Sequence, residues 1–309
     1  MSIFSRASAV TAFVMATAAT PALAATVYNT SLQNLNGAAG TSTYTTTTNA
    51  SGTTTTVVGP GPNADANRAH GMPVLNSWYQ DNVGAGTTVG ITTNYARNGN
   101  GSAYFNQTQA QTGKADLQYY FGSNGAVSPI ALSSLTSYSY DYLRDASSTA
   151  TNYLTPVLRL NILKDGVFAG TLIWEAAYNL GTGPSATNTW LTGSGDLNTG
   201  LFWTNNALLG PTNATAGGTK TLAQWIADNA GSQLSVYGIQ VGFGSGWDGT
   251  FTGAVDNVNV AFGQTAYSSN FEVATAAVPE PATWAMMMLG FGAMGAALRS
   301  RRRAKVVFG

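Results

Sequence analysis

Six tryptophans between residues 25 and 281, and a small set of carboxylates around them, are the groups that could do chemistry here. Flat indole rings stack on sugar faces and keep an N–H for a polar partner. Trp203 precedes Thr204-Asn205-Asn206 and Trp247 follows Gly244-Ser245-Gly246, so both are expected at loop ends as candidate glycan contacts. Core packing is the competing role for each, because Trp is mostly buried. Cleaving a glycosidic bond would need two carboxylates flanking it. Ahead of Glu280 the glutamates are Glu175 and Glu272, and no strand presents Glu-x-Asp-x-x-Glu. Glu175 could face a groove or accept hydrogen bonds at a strand end. His70 is the one histidine, and no G-x-S-x-G nucleophile exists for it to serve. One histidine and no cysteine leave no zinc set. Gly244 to Gly249 spells G-x-G-x-x-G, but Thr250 to Phe262 alternates as a strand where a dinucleotide site needs a helix. The residues favour contact over catalysis.

The formal charge of zero hides an asymmetry. Residues 25–281 hold seven Lys and Arg against thirteen Asp and Glu, a net of −6. An acidic body without a basic stripe cannot neutralise phosphates, which excludes nucleic acid as a partner. With no disulfide to brace it, the body must be held by its core. Charged residues make up 8% of the chain, and glycine alone contributes 36. That mix, with Thr, Ser and Asn abundant, suits short strands and tight turns.

The elements follow. Tyr44–Thr48 and Thr53–Val58 read as a hairpin around Asn49-Ala50-Ser51-Gly52. Strands are expected near 87–95, 102–108, 115–122, 135–143, 154–163, 167–175, 199–204, 235–243 and 251–262. Lys164-Asp165-Gly166 makes the tight turn between two of them. Turns recurring at this rhythm indicate an antiparallel β-sandwich. One short helix is expected from the capping box Thr221-Leu222-Ala223-Gln224, ending near Asn229-Ala230-Gly231. Residues 25–273 would form the sandwich and 274–278 a small-residue tether.

The two ends carry addresses. Arg6 is a short n-region, Ala7 to Thr20 an apolar h-region, and Ala22-Leu23-Ala24 fits signal-peptidase cleavage after Ala24, making 1–24 a signal peptide. At the other end, Pro279-Glu280-Pro281 leads into the uncharged run Ala282–Leu298 and the basic stop Arg299, Arg301, Arg302 and Arg303. Seventeen residues at about 1.5 Å each span roughly 25 Å, the short end of a transmembrane helix. Basic flanks stay cytoplasmic.

This order of tripeptide, apolar run and arginines over 279–303 resembles a PEP-CTERM sorting signal of Gram-negative bacteria. The resemblance implies an exosortase-type processing enzyme as partner, transient anchoring in the inner membrane, and transfer to the cell surface or the exopolysaccharide matrix of a biofilm. Ala304–Gly309 extends past the arginines further than is usual in that family. A second resemblance covers roughly 130–263. Leu132 to Tyr142, Trp174-Glu175 and Gly244 to Val258 look like segments of jelly-roll domains in exported bacterial proteins, the last being similar to closing strands of carbohydrate-binding modules. It implies an all-β, antiparallel jelly-roll-like β-sandwich. It also implies a structural Ca²⁺ site at Asp256, in Ala254-Val255-Asp256-Asn257-Val258, the rest of its six to eight oxygens coming from groups a sequence does not reveal. The expected function is a non-catalytic, surface-displayed matrix protein that contacts glycans. A polysaccharide hydrolase or lyase on a concanavalin-like sandwich and a purely structural or adhesive protein are the alternatives.

Overall fold

The computed structural model describes residues 24–34, 44–48, 54–58, 75–84, 86–110, 114–124, 126–212, 217–244, 246–274 and 281–303. Nearly all of the signal peptide, His70, the hairpin loop 49–53, Ser245, most of the tether, Pro279 and Glu280 lie outside them. The chain divides into two compact units, one ending at Val273 and one beginning at Ala274.

The first unit opens with β1 (Ala25–Tyr28), β2 (Gln33–Asn34) and the antiparallel Thr-rich pair β3 (Tyr44–Thr48) and β4 (Thr54–Val58). Then come β5 (Trp78–Asp81), β6 (Thr87–Thr92), β7 (Ser102–Gln107) and β8 (Ala115–Tyr120). Three short pieces follow: β9 (Gly122–Ser123), β10 (Ala126–Val127) and β11 (Ile130–Ala131). The long strands are β12 (Leu135–Arg144), β13 (Val157–Lys164) and β14 (Val167–Trp174), the last leading into a single-turn helix α1 (Ala176–Asn179). Next are β15 (Leu191–Gly195), β16 (Phe202–Thr204) and α2 (Leu222–Asp228). The unit closes with β17 (Leu234–Phe243), β18 (Phe251–Phe262) and β19 (Thr265–Glu272).

These strands make a jelly-roll-like β-sandwich. One sheet has eight strands in the order β16-β14-β13-β17-β8-β5-β2, with β11 beside β17. The other has seven, β1-β19-β18-β12-β15, with β7 on β18 and β6 outside it. Pairing is antiparallel except for β1 on β19 and β2 on β5.

Period-2 patterning decides which side chains face inward. Tyr138, Tyr140 and Tyr142 of β12 are buried against Leu158, Leu160, Trp174, Val241 and Phe243 of the opposite sheet. Tyr140 meets Trp174 edge-on across the layers, with ring centres 5.6 Å apart, and its hydroxyl donates to the Pro156 carbonyl at 2.9 Å. The capping box at α2 forms as expected. Gln224 N–H donates to Thr221 Oγ1 at 3.2 Å and Thr221 N–H to Gln224 Oε1 at 2.9 Å. Leu222 and Trp225 bury the inner side of α2.

β18 follows 251–262 as expected. The edge strands β1, β2 and β15, and the interior strands β5 and β19, depart from the expected set; β15 is Leu-Thr-Gly-Ser-Gly and β19 mixes Ser and Asn with aromatics. Such strands lack the β-branched signal and form because a longer neighbour templates them.

Candidate functional site: an outward groove on the eight-stranded sheet

The outward face of the eight-stranded sheet is where polar side chains gather. Register places Trp203, Ile173, Arg159, Gln240, Gln118 and Tyr79 side by side across six strands. The next row runs Thr171, Asn161, Gly238 and Tyr120. On the other side, Gly242, Asp116 and Asp81 line up. The two glycines of β17 make room: a Cβ at Gly238 would lie 2.4 Å from the Tyr120 ring, and one at Gly242 would lie 2.8 Å from Asp116 Oδ1. Over these rows is a cavity of about 190 Å³, bordered also by Lys114, Phe168, Asn205 and Tyr237.

Its polar groups form a network. Arg159 pairs with Asp116, which also accepts from Asn82 Nδ2 at 2.8 Å and has Lys114 Nζ at 3.5 Å. Burial opposes ionisation of Asp116. The charges of Arg159 and Lys114 and the hydrogen bonds from Asn82 and Arg159 outweigh it, and the carboxyl sits below its ordinary range. Gln118 Nε2 donates to Asp81 Oδ2 at 2.7 Å, and Tyr120 OH donates to Gln118 Oε1 at 3.0 Å. Tyr120 and Tyr237 stack with centroids 5.3 Å apart and planes 10° from parallel.

One residue breaks the pattern. Asn161 is fully buried, lines the cavity, and neither its Oδ1 nor its Nδ2 has a hydrogen-bond partner among the described residues. An orphaned buried amide costs about 1–3 kcal/mol and calls for a polar partner in the cavity.

Trp203 sits at the edge of the same face, half-buried, and its indole N–H lacks a well-formed hydrogen bond. Glu175, just beyond β14, is pushed up to about 7 by burial, opposed by the charge of Arg159 and by the Trp203 N–H. Glu175 lines a small closed space with Tyr153, Thr155 and Trp247, whereas the carboxylate lining the groove is Asp81.

Trp247 is placed differently from Trp203. It is 8% exposed and packs on Phe251 at 4.7 Å and Phe243 at 5.4 Å. The turn at Gly246 folds its ring back onto β18, so it belongs to the core and not to the groove.

Asp256 is fully buried where β18 forks. Residues up to Val255 pair with β7 and those from Val258 pair with β19, which leaves Asp256 and Asn257 without a strand partner on that side. The register slips there against β12, and Asn257 takes a left-handed φ of 51°. The Asp256 carboxylate fills the fork, accepting from Phe271 N–H at 2.9 Å and Asn98 N–H at 3.4 Å. Glu272 accepts from Asn100 N–H at 2.6 Å. Burial raises Asp256 to about 6 against its backbone hydrogen bonds, and the charge of Glu272 adds to the rise. Two carboxylates around one loop are hard oxygen donors of the kind calcium takes. Among the described residues no three His, Cys, Asp or Glu side chains converge, so backbone carbonyls would have to complete the shell.

Within the second unit the structure describes a 23-residue helix, α3 (Pro281–Arg303). Met286, Met288, Leu289, Phe291, Met294 and Leu298 are exposed along it. Arg299, Arg301, Arg302 and Arg303 lie toward its C-terminal end. Among the described residues no helix is long and apolar enough to cross a membrane. Residues 277–303 match the PEP-CTERM protein-sorting motif.

The chain carries a PEP-CTERM sorting signal. This signal implies export, surface sorting and processing by an exosortase. The PEP-CTERM match covers Pro279, Glu280, Pro281 and the arginines, the residues that the sequence singled out. No curated protein matches the chain. Among solved structures, the first unit is similar to a family 11 carbohydrate-binding module from Clostridium thermocellum in complex with a β-1,3-1,4-mixed-linked tetrasaccharide. That likeness is at 14% identity over 62% of this chain and 91% of that one, with a TM-score of 0.34. It is also similar to the cellulose-induced protein Cip1, at 13% identity over 64% and 94%, TM-score 0.33. A third similarity is to a module specific for non-crystalline cellulose, at 10% identity over 56% and 81%, TM-score 0.27. Likenesses this slight carry no ligand across.

Proposed function

We propose that this is an exported, non-catalytic protein of the surface polysaccharide layer that holds glycan in the outward groove of its eight-stranded sheet. The supporting observation is Asn161, a buried amide with both polar atoms unspent among the described residues, facing a cavity rimmed by Arg159, Gln240 and Asn205, with Trp203 two strands from Arg159 on the same face. Amide and guanidinium groups hydrogen-bond sugar hydroxyls, and an indole at the groove's edge supplies a stacking face. The PEP-CTERM signal supports the delivery: a signal peptide starts export, the segment 277–303 holds the chain transiently at the inner membrane, and an exosortase releases the body. Retention of the full-length chain on an exopolysaccharide affinity gel tests the binding. Asn161→Ala and Trp203→Ala should each weaken retention at least about tenfold, a loss near 1.4 kcal/mol. Undiminished retention of both variants rejects the groove.

One observation favours the hydrolase reading, a Glu175 held near 7, a value suited to a general acid. Glu175 and Asp81 border different spaces, which supports the non-catalytic reading. Release of reducing ends from exopolysaccharide, lost in Glu175→Gln, would reverse that preference. The fork at Asp256 and Glu272 is the proposed place for a structural Ca²⁺. Millimolar Ca²⁺ should raise Tm and a chelator should lower it, with neither effect in Asp256→Asn.

A further inference from the structure

A second cavity, of about 310 Å³, opens between the two sheets at the edge where β1 and β19 face β5 and β8. It lies apart from the groove and shares no lining residue with it. Sandwich interiors pack closely, so a gap of this size between two inner faces needs an occupant, whether water or ligand. It falls at the small end of the range for ligand pockets, roughly 300–1,000 Å³.

The walls are aromatic and fixed. Trp78 is buried, and its Nε1 donates to Ser269 Oγ at 2.8 Å. It packs on Phe271 at 5.2 Å and Tyr119 at 5.6 Å. Tyr119 meets Tyr267 edge-on at 6.1 Å, and Tyr267 is stacked on Phe121 at 4.2 Å. The rim hydroxyls are Ser77 and Ser268, with Asn76 beside them held by the Gly122 backbone through both amide atoms. None of the lining side chains is charged. Burial raises the Tyr119 and Tyr267 hydroxyls, so both remain neutral donors. Neither is hydrogen-bonded to a described residue, and both are half-exposed at the opening.

Aromatic walls accept the C–H face of a sugar ring, and a ring of neutral donors and acceptors accepts its hydroxyls. In the full-length chain, where Ala25 is an internal residue, the absence of charge on the lining would leave a carboxylate or a sulfate desolvated without compensation. The small volume limits the occupant to about one ring. We propose that this edge pocket is a second binding site, taking a single uncharged pyranose at the end of a glycan chain. Its chemistry is the complement of the groove's, which is laced with Arg, Lys and Asp.

The test uses the full-length chain labelled with 5-fluorotryptophan in a non-glycosidic detergent, with the Trp78 resonance assigned from Trp78→Phe. Methyl glycosides of neutral hexoses should shift that resonance saturably, and methyl glucuronide should not. Tyr267→Ala should weaken the response at least about tenfold. Because Tyr267 also packs on Phe121, the double change Tyr119→Phe and Tyr267→Phe keeps the rings and should still weaken it severalfold. Asn161→Ala should leave it unchanged, which separates this pocket from the groove. A Trp78 signal unmoved by every neutral glycoside overturns the proposal. So does an equal response to the glucuronide, or a response that survives in both tyrosine variants.

Discussion

Among the described residues each sheet carries one Arg–Asp pair on its outward face, and the two pairs differ in burial. On the eight-stranded sheet Arg159 and Asp116 are 7% and 0% exposed, and Lys114 and Asn82 crowd in on the same carboxylate. On the seven-stranded sheet Arg97 is 38% exposed and holds Asp141 at 3.0 Å, with Thr192 and Asn257 also donating to that carboxylate. Burial opposes ionisation of both acids, and in both the donors win. The difference lies in what removal leaves behind. Stripping Arg97 returns Asp141 to hydrogen bonds and water. Stripping Arg159 strands a buried charge. A chain with few charges has hidden one ionic cluster in its groove, where it orders polar side chains and leaves Asn161 as the odd member.

The sharpest way to break this comparison is Arg159→Ala, expected to destabilise by about 3–5 kcal/mol in urea unfolding. A loss no larger than that of Arg97→Ala would erase the distinction between the faces. A second check is pH. Glu175 just beyond β14 and Asp256 in the fork are both raised, to about 7 and about 6, so each holds its proton more firmly folded than unfolded. Their contribution is present near pH 4 and is lost as pH rises through these values, about 3–4 kcal/mol for Glu175. Glu175→Gln should flatten its part of that fall; an unaltered slope would remove Glu175 from the account. Third, Asn161→Leu should stabilise by about 1–2 kcal/mol while abolishing glycan retention. Retention without loss would make the amide structural. Smallest is Arg97→Ala, expected at or below about 1 kcal/mol.

Legibility from sequence followed signal strength. β18 and the α2 capping box could be read because alternation and cap chemistry are local. The signal at 279–303 could be read because its parts are contiguous. The groove could not. Asp116, Arg159, Asn161 and Gln240 come from three strands and become neighbours only through register, which no single stretch of sequence encodes. Trp203 was singled out from its flanking polar residues and lies on the groove face. Trp247 had the same kind of flanks and lies in the core, because Phe243 and Phe251 on either side of the turn offered it a place. The outward alternation Arg159, Asn161 amid Leu158, Leu160 and Ile162 was the one available hint, and alone it reads as an ordinary wet face.

The parallel pairing of β1 with β19 sets Ala25 beside Ser269 and Tyr28 beside Glu272. A chain threaded across a membrane from its front end delivers β1 first and its hydrogen-bonding partner almost last. The seven-stranded sheet is therefore incomplete for the whole of translocation, and contacts of such long sequence separation form slowly. A chain so threaded has no partner for β1 until β19 follows it.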